Sequence, residues 1–412
     1  MTGKYTLLID GSYFLFRTLF VLPGTFKSNE ILGSDEDIEI YIRKLATDLS
    51  YQIRLFEGLI DDVVWTIDSK SWRKEIHPES DYKGTRKYND NMNWENFAKA
   101  SKEFVKILSK HGISISAAEG AEADDLVYAW ASKCLGNNKS AIILSGDKDL
   151  IQLVDRTANK DAHIIFYSPV HKKIYAKNGF CEWLDHKDEP AESDDFFDSL
   201  KIHTKQSNRI KDTFKNIKKK KKLEFIEIDP DAVRFKKVLT GDSGDNVPPA
   251  YWKTMTSKSG KTRTYGVSDN KANAIYDEFI KKHGSFTYKD FSNDDVLVDI
   301  ANTLIKHLKV KDKNTQDIVR NIKTNISLMI LSSTTIPENI ISNMRESVEY
   351  LFYHKTQMKS LNNMKSLLEG TKYVDDITQP KGFSASVFKD DDSDDDSDMS
   401  FIKDRKKNER LF

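Results

Sequence analysis

Carboxylates in this sequence recur at the ends of apolar runs, a placement that could do chemistry. Leu7-Leu8-Ile9-Asp10, Val63-Val64-Trp65-Thr66-Ile67-Asp68 and Ile142-Ile143-Leu144-Ser145-Gly146-Asp147-Lys148-Asp149 each read as a buried parallel strand running into an acidic loop. The carboxyl ends of such strands are where open α/β sheets bind ligands. Glu122-Ala123-Asp124-Asp125 adds three acids at a helix start, where side chains tilt towards the N-terminus. If the strands are neighbours, Asp10, Asp68, Glu122, Asp124, Asp125, Asp147 and Asp149 converge on one sheet edge. Like charges that close raise one another's pKa unless cations neutralise them. Hard oxygen donors suit magnesium or manganese. One Asp at a strand end is ordinary turn or cap chemistry. Four segments obeying the same rule point to a divalent-metal site.

Two further stretches carry chemistry. Arg73-Lys74-Glu75 and Asp81-Tyr82-Lys83-Gly84-Thr85-Arg86-Lys87-Tyr88 follow the Asp68 strand, and cations interleaved with aromatics suit a phosphate backbone and stacked bases. Leu239-Thr240-Gly241 ends a helix, and Asp242 and Asp245 follow in a turn stiffened by Pro248 and Pro249. Tyr265-Gly266-Val267-Ser268-Asp269-Asn270-Lys271 opens another amphipathic helix. Helix, glycine turn and helix offer backbone N–H groups to a phosphate. Each stretch alone also reads as a surface loop or a capped surface helix.

The elements that must position these residues alternate. Strands are expected at 5–10, 62–68, 112–116, 140–145 and 163–167, with helices at 12–21, 37–56, 94–110 and from about 122 to 134. That rhythm predicts an α/β fold, a largely parallel, doubly wound sheet with helices on both faces. Residues 185–230 break it: they begin acidic, end in Lys218–Lys222 and read as an inserted or mobile segment. From 231 to about 372 the pattern is helical, and 373–412 is polar, Asp-rich and expected to be disordered. The chain divides accordingly into a core at 1–184, an insertion at 185–230, a helical domain at 231–372 and an acidic tail.

With 412 residues there is material for two to three domains. Cys134 and Cys181 are the only cysteines, which excludes a disulfide framework or a Cys-based zinc site and fits a reducing, cytoplasmic setting. The N-terminal apolar run is interrupted by Asp10 and Arg17, so it reads as strand plus helix rather than as a signal peptide. No stretch is long enough to cross a membrane. Basic and acidic residues balance at 64 each, but seven Asp lie between Asp390 and Asp398, leaving the rest of the chain at +7. Local basic segments therefore matter more than the total.

In order along the chain, Leu8-Ile9-Asp10-Gly11, Trp72-Arg73-Lys74 with Tyr82-Lys83-Gly84-Thr85-Arg86, Glu122-Ala123-Asp124-Asp125-Leu126, Ser145-Gly146-Asp147-Lys148-Asp149-Leu150 and Gly241-Asp242-Ser243-Gly244-Asp245-Asn246 resemble the motif blocks of the 5′-nuclease family. That family comprises flap endonucleases, the 5′-nuclease domains of bacterial DNA polymerases and phage 5′→3′ exonucleases. The blocks span roughly 5–180 and 232–285. Ser168–Lys173 and Ile336–Ile340 resemble short stretches of its T-even phage members, which trim RNA primers and adjoining DNA.

The resemblance implies a PIN-like core with a helical arch at about 69–95 and a helix–three-turn–helix motif at about 232–284. It implies two divalent ions, magnesium or manganese, held or positioned by Asp10, Asp68, Glu122, Asp124, Asp125, Asp147 and Asp149, with Asp242 and Asp245 completing the second site. Lys83 and Arg86 become catalytic groups on the scissile or neighbouring phosphate. Arg73, Lys74, Tyr82, Lys87, Gly266, Ser268 and Lys271 become nucleic-acid contacts. The implied substrates are duplex DNA, flapped DNA and RNA–DNA hybrid, handled by a monomer in replication. The tail, where Phe401-Ile402 and Leu411-Phe412 bracket a basic stretch, is the candidate contact for a single-strand-binding protein or a sliding clamp. Two departures stand out: Ser268 replaces the second glycine of the family's usual Gly-x-Gly, and the Tyr251–Thr264 loop, with Lys253, Lys258, Lys261 and Arg263, is longer than in bacterial members.

Three other classes share some of these features. A PIN-like endoribonuclease would not need Asp242, Asp245 or the second helix pair. A non-catalytic structure-specific DNA-binding protein would have lost carboxylates. A magnesium-dependent phosphatase would have no use for a basic, aromatic arch.

Overall fold

A computed structural model describes residues 5–22, 26, 30–84, 91–158, 162–188, 198–256, 262–310, 314–354 and 364–373. Its centre is a sheet ordered β3-β2-β1-β4-β6-β7-β8. The strands are β1 (Tyr5–Asp10), β2 (Ile60–Thr66), β3 (Ser114–Ser116), β4 (Ala141–Leu144), β5 (Asp155–Arg156), β6 (His163–Ser168), β7 (Lys173–Lys177) and β8 (Glu224–Ile228). From β3 across to β6 the pairings are parallel. Strand β7 turns back antiparallel to β6, β8 runs parallel to β7, and β5 pairs antiparallel with β6.

Successive strand residues point to opposite faces, and the sequence uses both. Leu7, Ile9, Val63, Trp65, Ile142 and Leu144 face one layer, formed by α1 (Gly11–Phe20), α2 (Asp35–Leu55), α4 (Trp94–Lys110) and α7 (Asp198–Lys221). Leu8, Val64, Ile143, Ile164 and Phe166 face the other, formed by α5 (Ala123–Gly136) and α12 (Glu338–Tyr353). Helix α2 starts where the Ser34 side chain accepts from Asp37 N and three acids fill the first turn, complementing the helix dipole. Helix α1 starts directly on β1. Gly11 permits this, because a Cβ there would lie 2.3 Å from the Thr66 carbonyl oxygen.

A second core gathers α8 (Pro230–Thr240), α9 (Asp269–His283), α10 (Asp294–Leu308) and α11 (Thr315–Met329) around Phe235, Ile275, Phe279, Ile300, Leu304 and Ile322. Between α8 and α9 the loop around 251–264 contains an antiparallel hairpin, β9 (Trp252–Thr256) and β10 (Thr262–Gly266).

Two expectations are corrected. The segment expected as an insertion at 185–230 packs into the fold over residues 198–228. Ile210, Phe214 and Ile217 of α7 are buried in the main core, Phe214 stacks edge-on against Tyr5, and β8 extends the sheet. Nor is 231–372 one separate domain. Helix α12 returns to the sheet and packs on α5, and α13 (Met364–Leu368) packs with Tyr373 on the opposite face. The tail from residue 374 lies outside the described residues, as do residues 85–90 of the arch expected at about 69–95. Among the described residues, no helix is long and apolar enough to cross a membrane.

Candidate active-site cleft

The parallel strands β2, β1 and β4 deliver their acids to one edge, as their register requires. Asp10 ends β1 and caps α1, its Oδ1 accepting from Tyr13 N at 3.0 Å. Its other oxygen accepts from Ser145 Oγ at 2.8 Å, and that hydroxyl also accepts from Asp147 N. Ser145 thus ties the ends of β1 and β4 together. Asp147 caps the short 3-10 helix Lys148–Leu153 by accepting from Asp149 N at 2.8 Å. Asp68, beyond β2, accepts from Ala123 N at 2.6 Å and pins the start of α5 to the same edge.

Four of these carboxyls resist ionisation. Burial, and then the charges of Asp68 and Asp147, raise Asp10 to about 7. Burial and Asp147 raise Asp149 to about 7, against the pull of Lys237. Asp124 is raised well above its ordinary value by burial, Asp147 and Asp10. Asp147, exposed at the cleft mouth, is also raised, by desolvation of its carboxylate and then by Asp245 and Asp242. The acids of the second core therefore reach this cleft. They do so from a turn closed by an Asp242–Val247 bridge, in which Asp242 Oδ1 accepts from Gly244 N at 2.7 Å. Gly241 opens that turn at φ +68°, where a Cβ would lie 2.4 Å from the Val247 carbonyl oxygen, a conformation that only glycine adopts comfortably.

Two lysines are set against the acids. Lys83 Nζ lies 2.6 Å from Glu122 Oε1 and 4.0 Å from Asp245 Oδ2. Its backbone holds φ +57°, and its N–H donates to the Asp245 carbonyl at 2.9 Å. A left-handed non-glycine residue tied down in this way is a strained position held by its surroundings. Lys237, from α8, pairs with Asp149 and lies 3.6 Å from Asp242 Oδ2. It was not singled out from the sequence, where it reads as one more lysine on an amphipathic helix. An Asp five residues beyond it, after a glycine, is the signal that would have found it.

Beside the cleft lies a second acidic cluster of the opposite kind. Arg73 is 2% exposed, and its guanidinium meets Asp125 Oδ1 and Glu122 Oε2, both at 2.7 Å, while its Nε donates to the Leu328 carbonyl. Asp125 also accepts from Trp72 Nε1 and Glu122 N, both at 3.0 Å. Burial pushes Glu122 up, but Lys83 and Arg73 overcome this and hold it at about 2. Three expectations change here. Asp125 is spent on Arg73 and Trp72, so it does not face the cleft as a ligand. Arg73 is sealed in the interior, away from any nucleic acid. Tyr82 is buried with its hydroxyl on Glu122 and Asp245, so its ring is not presented at the surface for stacking.

Lys74 is exposed, and Lys271 is exposed on α9. Gly266 packs on Pro249 of the Asp242 turn, and Ser268 caps α9. Arg86 and Lys87 lie outside the described residues. Among the described residues, no three of His, Cys, Asp and Glu form a ready ligand set for an ion. The donor chemistry nonetheless fits a hard divalent cation: desolvated carboxyls with raised pKa values gain most from such a countercharge.

The family model described as 5′-3′ exonuclease, N-terminal resolvase-like domain, matches residues 5–182. A 5′-3′ exonuclease of Buchnera aphidicola subsp. Schizaphis graminum is 26% identical over 250 residues, 57% of this chain and 81% of that protein. Flap endonucleases Xni of Shewanella woodyi and Shewanella sediminis are 30% and 34% identical over 157 and 150 residues. Those matches span 38% and 36% of this chain and only about half of each Xni protein, 56% and 52%. A structure of the T5 D15 protein co-crystallised with metal ions aligns over 84% of this chain and 99% of its own, at 15% identity and a TM-score of 0.46, too low to carry weight. The matched region is the one whose strand ends build the cleft, from Asp10 through Asp149, and over that region the chain is similar to the 5′-nuclease family.

Proposed function

We propose that the protein is a metal-dependent 5′→3′ exonuclease and flap endonuclease that hydrolyses phosphodiesters of DNA duplexes and RNA–DNA hybrids. The observation that carries this reading is the convergence of desolvated carboxyls from β1, β4 and α5, with Asp242 and Asp245, on a cleft flanked by Lys83 and Lys237. Asp10, Asp68, Asp124, Asp147, Asp149, Asp242 and Asp245 would hold or position two divalent ions, magnesium or manganese, with Glu122 at the margin. When bound, such ions supply charge stabilisation at the attacked phosphate and a water of lowered pKa. Lys83, held between Glu122 and Asp245, would move its ammonium onto a phosphate oxygen, adding stabilisation as charge develops. Arg86 would act beside it. Lys74, Lys87, Gly266, Ser268 and Lys271 would grip the backbone outside the cleft.

Within the family we read this chain as similar to the ribonuclease H of T-even phages, with removal of RNA primers during lagging-strand replication as its role. The similarity of Ser168–Lys173 and Ile336–Ile340 supports this. The enzyme would work as a monomer in the cytoplasm of a host cell, with the tail meeting a single-strand-binding protein or sliding clamp. Nicked, flapped and RNA-primed duplexes, labelled at the 5′ or the 3′ end, test the proposal. Magnesium should release short 5′ products or flaps from all three substrates and chelator should prevent it. Release from the 3′ end, or cleavage that survives chelation, would contradict it.

A further inference from the structure

The sheet edge that carries the cleft changes sign along its length. Over β2, β1 and β4 it bears acids. Beyond β4 it bears exposed lysines: Lys148 next to Asp147, Lys172 beside His171 in the β6–β7 turn, then the lysine run that ends α7. Because β7 and β8 run against β6, their first residues lie at the same edge as the last residues of β1 and β4. The topology is fastened there: Glu224 N donates to the Lys172 carbonyl at 3.2 Å, and Leu223 N to the Lys218 carbonyl at 3.2 Å. Burial, and then the charges of Lys148 and Lys173, hold His171 below its ordinary pKa, so like charges crowd this turn. Lys218 and Lys221 lie over the rings of Phe225 and Tyr51, which fixes the end of α7 against the core. Glu224 answers Lys173 at 2.9 Å, and Lys219, Lys220 and Lys222 remain exposed beside it.

We propose that the lysine end of α7, with the β6–β7 turn, is a second nucleic-acid track, holding the phosphodiester backbone of a single strand that leaves the cleft past Lys148. It rests on the proposed nuclease function and names where one strand of its substrate goes. From β4 to β8 is three inter-strand spacings, about 14 Å, a reach of a few nucleotides. A row of cations continuous with a phosphate-processing cleft matches a linear polyanion, which releases counterions at each contact.

The test uses the full-length protein carrying Lys219→Ala, Lys220→Ala and Lys222→Ala together. A control with Lys102→Ala, Lys106→Ala and Lys110→Ala makes the same change in charge on α4. Binding to a 5′-flapped duplex with a long single-stranded flap is measured in chelator over a range of salt, after thermal melts have shown both variants folded. The track variant should lower the slope of log affinity against log salt by about two units, at about 0.7 per single-strand contact. The control should leave it unchanged. An unchanged slope in the track variant, or an equal change in both, overturns the track. If the wild-type protein binds and cleaves the flap while the slope is unchanged, this inference falls alone. If it neither binds nor cleaves, the nuclease reading falls and takes the track with it.

Discussion

Two acidic clusters lie side by side at the start of α5, and they differ in what answers their charge. Glu122 and Asp125 meet Arg73, Trp72 and Lys83, and each carboxylate oxygen in that interior nest has a donor. Asp124, between them in sequence, turns to Asp10 and Asp147 and is pushed well above its ordinary pKa. The helix makes the separation, since residues one apart point about 100° away from each other. One cluster is finished by the chain itself and ties the segments around Arg73 and Lys83 to the start of α5. The other is left short of positive charge, which is the property a cation-dependent site requires. An acidic motif is therefore not a ligand list. Its members divide according to which neighbours reach them.

Breaking each side separately sharpens the contrast. Asp147→Asn should abolish cleavage in magnesium while leaving duplex binding intact, because it removes one charge from the cleft and none of the cations outside it. Full magnesium-dependent turnover by this variant would remove Asp147 from the site. Arg73→Ala should destabilise the fold by about 3–5 kcal/mol, since it leaves two interior carboxylates without their guanidinium. Urea unfolding measures this, and a loss below about 1 kcal/mol would mean the nest is wet and weak. Lys83→Ala should lower turnover about 10²-fold or more with a smaller change in KM, as expected for a positioned charge that acts mainly in the transition state. Equal losses in affinity and turnover would make Lys83 a plain backbone contact. The smallest effect is expected far from both clusters. Lys271→Ala should weaken duplex binding and reduce its salt slope by about one unit, and an unchanged slope would take α9 out of the interface.

Much of this was legible in the sequence because strand ends follow hydrophobic pattern. The alternation in Leu7-Leu8-Ile9 and Ile142-Ile143-Leu144 serves two faces, so the acids after those runs had to share an edge. Helix α4 falls where its apolar spacing predicts. What the pattern could not show is which charge meets which. Arg73 looks like a phosphate-binding cation until Asp125 and the Leu328 carbonyl close around it, 52 and 255 residues away in sequence. Lys237 joins the cleft only because α8 packs beside the 3-10 helix after Asp147. Residues 198–228 misled for a related reason. Their charges dominate the composition, while the few residues that matter to the core, Ile210, Phe214 and Ile217, are spaced along one helix face among lysines.

The most direct test of the contrast needs no substrate. Asp10 and Asp149 keep a proton up to about pH 7 in the folded chain, but only to about pH 4 when unfolded. Between those values the folded state binds more protons, so its stability must fall as pH rises. Glu122, held at about 2, acts in the opposite sense, and only below its unfolded value of about 4.5. The measurement is the thermal midpoint of the wild-type chain from pH 4 to 8, in chelator and in excess magnesium or manganese. The predicted result is a midpoint that declines through this range in chelator and is restored by the divalent ion, most strongly near pH 7 and above. A flat profile in chelator, with no response to either ion, would contradict an acidic cleft left short of positive charge.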